Sequence, residues 1–458
     1  MLRRELTLLQ ATAINMIDMV GIGPFITTAV VAATMQSVHL TVLAWILGFV
    51  FALIDATVWS ELGAKFPEAG GSYRFLLECY GQNSWGRYAS FLFVWQTTFT
   101  APLVVASGAL GFASYAQFFF TGVYDKTAEF SERVLALGVV ALLTVMLYRR
   151  IKHVGMISVM LWCCVVAVMV LLISTGFVYG DMQGTVQAVA FPADGWLTYL
   201  TRNNTWLLLG VALLPTTYSY LGYYNVCLLG GEVERPERVI PRSMYVSIFG
   251  IGILYVLMQI SIFSIVPFEV VGKSKFVVSQ MLTTVYGAPV AGIGTALILL
   301  IALASLFSVM LGYSRVPYAA ARDGLFFHQF GKLHSKADFP HVSLLVMAAI
   351  ASMFVLTMTI SDAIKSIITM RIFTQFIAQT VGLLYLRSRV GPSQMPWRMW
   401  LFPLPALVLI VLWLWVFSSS SPLQQTAAII APLVGTVAFL IVSRVQHTWP
   451  FSTQGSEI

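Results

Sequence analysis

Charged residues are scarce in this sequence: lysine, arginine, aspartate and glutamate together make up 10% of its 458 residues. Soluble globular domains usually carry about a quarter, whereas 58% of this chain is hydrophobic. Apolar runs of about 20 residues, the length that crosses a bilayer, recur from end to end. The low charge therefore excludes an ordinary soluble protein and predicts an all-α polytopic membrane protein.

Cysteine is also rare, and its placement gives no sign of a disulfide framework. All four cysteines lie in apolar runs or beside them on the side argued below to be cytoplasmic, where thiols stay reduced: Cys79, Cys163, Cys164 and Cys227. The spacings of a metal site, a Walker loop and a nucleophile elbow are missing. No connection is long enough for a nucleotide-hydrolysing domain. We therefore expect no enzyme, no cofactor and no metal.

Twelve apolar runs can be drawn as membrane spans. They cover roughly residues 6–33, 38–64, 86–120, 132–149, 153–179, 203–232, 242–267, 287–320, 342–362, 364–386, 399–419 and 424–443. A chain of this kind without a soluble domain is typical of a secondary transporter. An ion channel would need a continuous pore with selectivity rings, and a membrane enzyme would need clustered histidines or acids. Neither pattern occurs in the sequence.

An even number of spans places both termini on one side of the membrane. Eighteen lysines and arginines in the connections fall on that side, and six fall on the other: Lys126, Arg133, Arg202, Lys273, Lys275 and Lys365. Because cytoplasmic loops are enriched in positive charge, we predict a cell-membrane protein with both termini in the cytoplasm. The formal charge of +7 thus reflects topology, and nucleic acid is not an expected partner.

The first span contains an interruption. Its sequence MIDMVGIGPFIT, residues 16–27, places an acid, two glycines and a proline inside an apolar run. Gly21 and Gly23 allow close backbone approach and unusual dihedral angles. Pro24 suits the first position of a resumed helix because it lacks the N–H that would be unpaired there. The pattern predicts a helix that ends at mid-membrane, becomes coil and begins again.

The sixth span contains a second interruption, five helices after the first. Its sequence LPTTYSYLGYYN, residues 214–225, combines hydroxyls, a glycine and an amide with Pro215 as a further helix breaker. Many transporters consist of two inverted repeats whose first helices are both discontinuous. We therefore predict a first repeat in residues 1–200, a second in 201–390, and two additional spans with a short cytoplasmic tail in 391–458.

Two opposed breaks can form a binding site from backbone groups. In hydrocarbon such groups must be satisfied by protein, water or substrate, and a helix N-terminus favours a carboxylate. The N–H groups near Ile22, Gly23 and Phe25 would face an anion. The carbonyls around Tyr218, Ser219 and Leu221 would face an ammonium group. Together these describe an amino acid. The alternative is that the glycines serve only packing and the prolines only kink the helices.

Four segments in this order resemble the amino acid–polyamine–organocation superfamily. GIGPF at 21–25 is similar to the unwound first-helix motif, and SELGAKFPEAGGSY at 60–73 to the segment that ends the second helix. GEVERPERVIP at 231–241 resembles the loop after the sixth helix, and SRVPYAAARDGLF at 314–326 the cytoplasmic end of the eighth. The resemblance implies twelve transmembrane helices in a LeuT-like five-plus-five inverted repeat, with alternating access.

The resemblance also implies where substrate is contacted. It places the contacts on the backbone at the two breaks and gives Tyr218 the role of an aromatic gate. The positions concerned are Met19, Gly21, Ile22, Gly23, Tyr218, Ser219, Leu221 and Gly222. Two departures matter: Ile22 replaces the serine often found between the glycines, and residues 153–180 lack the lysine that several proton-coupled relatives carry in the fifth helix.

Ionisable residues inside spans are costly and are functional candidates for that reason. Asp18, just before the first glycine, could couple a proton, hold a cationic substrate group or pair with an arginine. Arg371, Gln375 and Gln379 recur every four residues in the tenth span, which predicts a polar stripe on one helix face. Asp18 and Asp55 are both candidate partners for Arg371. Hydrogen bonding between helices is the simpler interpretation of the stripe.

These observations predict a secondary active permease that moves amino acids across the cytoplasmic membrane, coupled to protons or working as an exchanger. The alternative is a polyamine or cationic amino acid permease, favoured by Asp18 and by tyrosines that can contact cations. Sodium coupling through Ser305 and Ser308 is a further option, although serines in membrane helices often bond to their own backbone. The expected partners are a small amino acid substrate and membrane lipid.

Overall fold

The structure is a computed structural model that describes residues 4–68, 70–120, 128–148, 154–189, 204–334 and 339–445. These ranges are mostly helical. The helices, in chain order, are α1 (Leu8–Met19), α2 (Gly23–Met35), α3 (Val38–Lys65), α4 (Ser72–Tyr80), α5 (Trp85–Ala116), α6 (Ala128–Leu147), α7 (Val154–Tyr179), α8 (Met182–Val189), α9 (Thr205–Tyr220), α10 (Pro236–Ile265), α11 (Phe268–Val271), α12 (Val277–Tyr286), α13 (Ala288–Arg322), α14 (His341–Thr357), α15 (Ile360–Arg371), α16 (Ala378–Val390), α17 (Leu404–Ser419) and α18 (Pro422–Val445).

Seven helices in the described ranges are long and apolar enough to cross a bilayer. They are α3, α5, the apolar part of α7, α10, α13, the continuous α15–α16 unit and α18. Helices α1 and α2 meet the same criteria only as a pair, bent by 44° at the break between them. Two shorter apolar helices, α14 and α17, accompany them. The chain is therefore a polytopic helical membrane protein, as the sequence predicts.

The first break lies where the sequence places it. Helix α1 starts with a capping box in which the Thr7 and Gln10 side chains each bond to the other's backbone N–H. It ends at Met19, and α2 begins at Gly23 with Pro24 in its first turn. Because a proline in the first turn removes no intrahelical hydrogen bond, the chain re-enters a helix there at little cost.

The second break lies after the proline and not at it. Pro215 is inside α9, which continues to Tyr220 before the chain leaves the helix, so the prediction that this proline helps to break the span is wrong. The Thr216 hydroxyl bonds back to the Ala212 carbonyl, 3.1 Å away, within the helical turn that contains the proline. A 3-10 segment, Asn225–Glu232, follows the break.

Backbone hydrogen bonds tie the start of the chain to this 3-10 segment. The Leu6 N–H donates to the Glu232 carbonyl at 2.9 Å, and the Glu234 N–H donates to the Leu6 carbonyl at 3.0 Å. Further along, the Asn15 side chain on α1 accepts from the Val226 N–H at 3.0 Å. Helix α1 is thereby attached at both ends to the stretch that follows the second break.

The boundary between the ninth and tenth predicted spans falls earlier than the expected 362–364. Helix α14 ends at Thr357, and α15 begins at Ile360 with Thr359 as its N-cap. The Thr359 hydroxyl accepts from the Asp362 N–H at 3.2 Å, a capping signal present in the sequence. Between α15 and α16 the helix widens into a π-helical segment, Ile372–Ile377, which shifts the faces of the helix on either side.

A buried aromatic cluster packs α3, α9 and α10 together beside the breaks. The Trp45 ring lies edge-on to Tyr220 and Tyr255, with centroids 6.0 and 5.5 Å away. All three side chains are buried. Edge-to-face aromatic pairs add stability beyond the area they bury, so this cluster fixes the position of Tyr255 on α10.

Candidate functional site

The two breaks lie directly against each other. Gly222 has a φ of +120°, and a Cβ added to it would lie 2.7 Å from both the carbonyl carbon of Asp18 and the nitrogen of Met19. Non-bonded heavy atoms do not approach that closely. Both the backbone angle and the contact therefore require glycine, and the two broken backbones touch at this point.

A cavity of about 70 Å³ lies where the breaks meet, and we call it the central cavity. All eight positions predicted for substrate contact line it, together with Asp18 and Arg371, whereas Gln375 does not. The remaining lining residues are Val104, Gly108, Tyr224, Asn225, Ala302, Ser305, Leu306, Val309 and Tyr313. The cavity thus combines helix termini, tyrosines and two side chains of opposite formal charge.

The N-terminus of α2 opens onto the central cavity. No described side chain caps this end of the helix, so its first-turn N–H groups are available to an anion. Gly23 packs against the Tyr218 ring, because a Cβ there would lie 3.2 Å from a ring carbon. The Tyr218 hydroxyl is 3.1 Å from that of Ser107 on α5, which holds the ring across the cavity.

Tyr255 on α10 joins the two breaks and is not among the residues that line the central cavity. Its buried hydroxyl lies 2.7 Å from the Met19 carbonyl in the first break and 3.2 Å from the Ser219 carbonyl in the second. A hydroxyl has one proton to donate, so the two carbonyls share it. The prediction that the Ser219 carbonyl is freed by the break is therefore only partly met.

Arg371 faces the central cavity and bonds to tyrosines. Its guanidinium donates to the hydroxyls of Tyr224 at 3.1 Å and Tyr313 at 2.9 Å. It is 3% exposed, and no described carboxylate forms an ion pair with it. The expectation that Asp18 or Asp55 pairs with Arg371 is not met: Asp55 accepts instead from the Tyr223 hydroxyl.

Asp18 also faces the cavity, with amide and hydroxyl neighbours. The Asn225 side-chain amide donates to the carboxylate oxygen Oδ2. The Ser308 side chain is a second neighbour of this carboxylate. The other oxygen, Oδ1, is buried and receives no hydrogen bond from the described residues. Asp18 and Arg371 therefore line one cavity, and neither has a partner of opposite charge among the described residues.

The three residues of the predicted polar stripe in the tenth span do not all reach the cavity. The π-helical segment lies within it, so a regular four-residue spacing no longer places its members on one face. Gln375 donates to the Ser72 hydroxyl at 3.1 Å, and that hydroxyl donates to Gln379 at 2.7 Å. These two glutamines join α4 to the tenth span by hydrogen bonds, and only Arg371 reaches the cavity.

A second cavity, which we call the vestibule, has a volume of about 690 Å³ and lies further along α2 and α5. Four basic side chains and one acidic side chain line it: Arg133, Lys273, Lys275, Lys365 and Glu132. The Lys275 ammonium is 3.1 Å from the Glu132 carboxylate. The vestibule consequently carries a surplus of positive charge.

About one helical turn of α2 separates the vestibule from the central cavity. Ile22 lines the central cavity and Ile26 lines the vestibule. Both pack on Gly111 of α5, where an added Cβ would lie 2.2 Å from Ile26 and 3.0 Å from Ile22. These two isoleucines therefore form an apolar barrier between the two spaces.

Comparison with known proteins matches this helical architecture to one family. The sequence model of the family described as amino acid permease matches residues 6–447, nearly the whole chain. The chain belongs to this family. That result confirms the resemblance to the amino acid–polyamine–organocation superfamily seen in the four motifs.

The permease is also similar to individual transporters. It is 24% identical to the human cystine/glutamate transporter over 96% of this chain and 85% of that protein. It is 24% identical to the serine/threonine exchanger SteT of Bacillus subtilis over 89% of each chain. Amino acid transporter protein 6 of Caenorhabditis elegans is 27% identical over 85% of this chain and 72% of its own.

Sequence reasoning missed several polar residues of the permease's site. Tyr255 and Tyr313 are tyrosines in long apolar helices, a pattern that also fits simple packing, so nothing in the sequence indicated their hydroxyl contacts. Asn225 comes directly after the second break, and its amide could have been proposed as a partner for Asp18. All three depend on which helices are neighbours, which the order of residues along the chain does not reveal.

Replacing Tyr255 by phenylalanine should lower the free energy of unfolding by about 1–3 kcal/mol, because buried carbonyls at the breaks lose their donor. The measurement is thermal or denaturant unfolding of the purified permease in detergent. Tyr385→Phe is the control, since that side chain is 45% exposed. Equal stability of the two variants would show that the Tyr255 hydroxyl does not hold the breaks together.

Proposed function

We propose that the chain is a secondary active amino acid permease that works by alternating access at the central cavity. The observation that carries the proposal is the apposition of two helix breaks around a cavity onto which an uncapped helix N-terminus opens. In this proposal the substrate carboxylate binds the N–H groups at the start of α2, and its amine binds carbonyls of the second break.

We further propose the complete architecture of twelve spans in a LeuT-like five-plus-five inverted repeat. Span one is α1 with α2, and span six is α9 with the 3-10 segment. The repeats occupy residues 1–200 and 201–390, with two further spans in 391–458. The helix order supports this assignment, since each predicted span has a helical counterpart in the described residues. The positive-inside rule then places both termini in the cytoplasm, and the vestibule opens to the outside of the cell.

The charges that line the central cavity and the vestibule favour an amino acid substrate over a polyamine. The central cavity presents one arginine and one aspartate that do not pair, an arrangement complementary to a zwitterion. The vestibule adds an excess of positive charge on the entry path, which repels polycations and attracts anionic groups. We therefore propose that Arg371 receives an anionic group of the substrate. The polyamine and cationic amino acid alternative would require an excess of acids in these places.

A stabilisation assay tests the proposed function directly. Purified protein is heated with each of the twenty amino acids and with putrescine and spermidine. A ligand that binds only the folded state raises the unfolding temperature. We expect one class of amino acids to do so and the polyamines not to. Gly23→Val should remove the response by crowding Tyr218, whereas Gly138→Val, where a Cβ meets open space, should keep it. Stabilisation by polyamines alone would contradict the proposal.

Asp18 is our candidate for proton coupling, with exchange as the alternative mode, in line with an exchanger among the relatives. Asp18→Asn should abolish the dependence of uptake on external pH, because an amide cannot take up or release a proton in this range. Uptake by proteoliposomes at several pH values is the measurement, and Asp362→Asn, at an exposed carboxylate, is the control. Proton-driven uptake that survives in Asp18→Asn would assign coupling elsewhere.

A further inference from the structure

A third cavity lies on the periphery of the molecule, away from the central cavity. It has a volume of about 650 Å³ and forms a groove between the start of α5, the helix α16 and the middle of α18. Tyr88 closes one side by a hydroxyl contact of 2.8 Å to Thr436. Four apolar side chains contribute to its lining: Leu92, Phe373, Val381 and Pro432.

Aromatic side chains surround one end of this groove. Trp85 is 63% exposed, and Tyr385 is also exposed; both line the groove. Exposed tryptophan and tyrosine on membrane proteins concentrate at the level of the lipid headgroups. This end of the groove therefore lies at the membrane–water interface, with the apolar end directed towards the bilayer centre.

Arg389 stands at the interfacial end. Its side chain is exposed, its guanidinium lies 5.5 Å from the centre of the Tyr385 ring, and it has no ion pair among the described residues. Under the proposed topology this end faces the cytoplasmic leaflet, which carries anionic lipid. A guanidinium with no acidic partner at headgroup level is complementary to a lipid phosphate.

The length of the groove fits a lipid chain. Ala378 and Arg389 both line it. The eleven helical steps from one to the other on α16 correspond to about 16 Å at 1.5 Å per residue. One leaflet contributes about half of the 30 Å hydrocarbon core. The groove thus extends over the hydrocarbon depth of one leaflet, from a basic group at its surface to an apolar end near its middle.

We propose that the groove binds one anionic phospholipid of the cytoplasmic leaflet. Its phosphate bonds to Arg389, and one acyl chain lies along Val381 to Phe373. Phe373 belongs to the π-helical segment that directly follows Arg371, so the bound chain packs against the backbone that positions the arginine of the central cavity. The proposal depends on the topology and not on which substrate is carried.

Native mass spectrometry of the purified full chain tests this site. The protein is incubated with palmitoyl-oleoyl phosphatidylglycerol or with the phosphatidylcholine of the same chains. Wild type should retain one phosphatidylglycerol in preference to phosphatidylcholine. Arg389→Gln should lower phosphatidylglycerol retention about fivefold, the loss expected for one basic residue at a membrane surface. Arg444→Gln, at another exposed arginine, should leave retention unchanged.

A second variant tests the position of the acyl chain. Val381→Trp fills the groove from an exposed position, so the fold should remain intact, and it should reduce retention of both lipids. Equal retention of the two lipids by wild type would overturn the proposal. An equal loss in Arg389→Gln and Arg444→Gln, or full retention in Val381→Trp, would do the same, because binding would then be non-specific or located elsewhere.

Discussion

Gly222→Ala should abolish transport and lower the free energy of unfolding by about 2–6 kcal/mol, the combined cost of left-handed backbone strain and overpacking. The added methyl group would meet the backbone of Asp18 and Met19 at 2.7 Å. A backbone cannot rotate away as a flexible side chain can. The two breaks would have to separate, and the cavity between them would lose its shape.

The measurements for this variant are uptake by proteoliposomes and unfolding in detergent. Gly312→Ala is the matched control, because a Cβ at that position has only one neighbour, at 4.0 Å, and Gly312 lies within α13. The control should transport at the wild-type rate. If Gly222→Ala also did so, the breaks would not be in the close contact that the structure describes.

Arg371→Gln should weaken the apparent substrate affinity at least about thirtyfold, which corresponds to the lower end of the 2–5 kcal/mol lost with one member of a buried charge pair. The reason is that the variant replaces the one guanidinium among the described residues that line the cavity with a neutral amide. Arg371→Lys should recover only part of the affinity, since an ammonium group cannot reproduce the planar fork that reaches the Tyr224 and Tyr313 hydroxyls together.

Substrate concentration series in proteoliposomes give the affinity, and unfolding in detergent reports any loss of stability. Arg315→Gln removes another arginine of a membrane helix, but from an exposed position on α13, and should leave affinity unchanged. A less stable Arg371→Gln protein with normal affinity would reduce Arg371 to a structural residue that holds Tyr224 and Tyr313.

Much of the fold could be predicted because hydrophobicity and helix-breaking residues act locally. Gly21, Gly23 and Pro24 place the first break correctly, since few residues other than glycine and proline combine these backbone properties. Pro215 led to a wrong prediction because its effect on a helix depends on the surrounding structure and not on the residue alone. A proline in a membrane helix is tolerated when neighbouring groups satisfy the backbone that it frees, and such compensation is visible only in three dimensions.

The backbone positions of the candidate site were more accessible to sequence reasoning than its side-chain partners. Residues at the breaks could be named because the breaks themselves could be located. The partners of Arg371, Tyr224 and Tyr313, could not be named because they lie on other elements that only the fold brings next to it. The π-helical segment also changes the face on which each residue after it lies. A strict four-residue period predicted one stripe, and the structure directs Gln375 and Gln379 to Ser72 instead.

The attachment of α1 to the segment after the second break has a mechanical consequence. Three residues bond to that segment at different heights. Leu6 bonds to Glu232 and Glu234, Asn15 to Val226, and Asp18 to Asn225. Any displacement of α1 must carry the segment along or break all of these bonds together. Under the proposed topology these elements are the cytoplasmic halves of spans one and six, and we expect them to move as one rigid unit when the cytoplasmic side of the cavity opens.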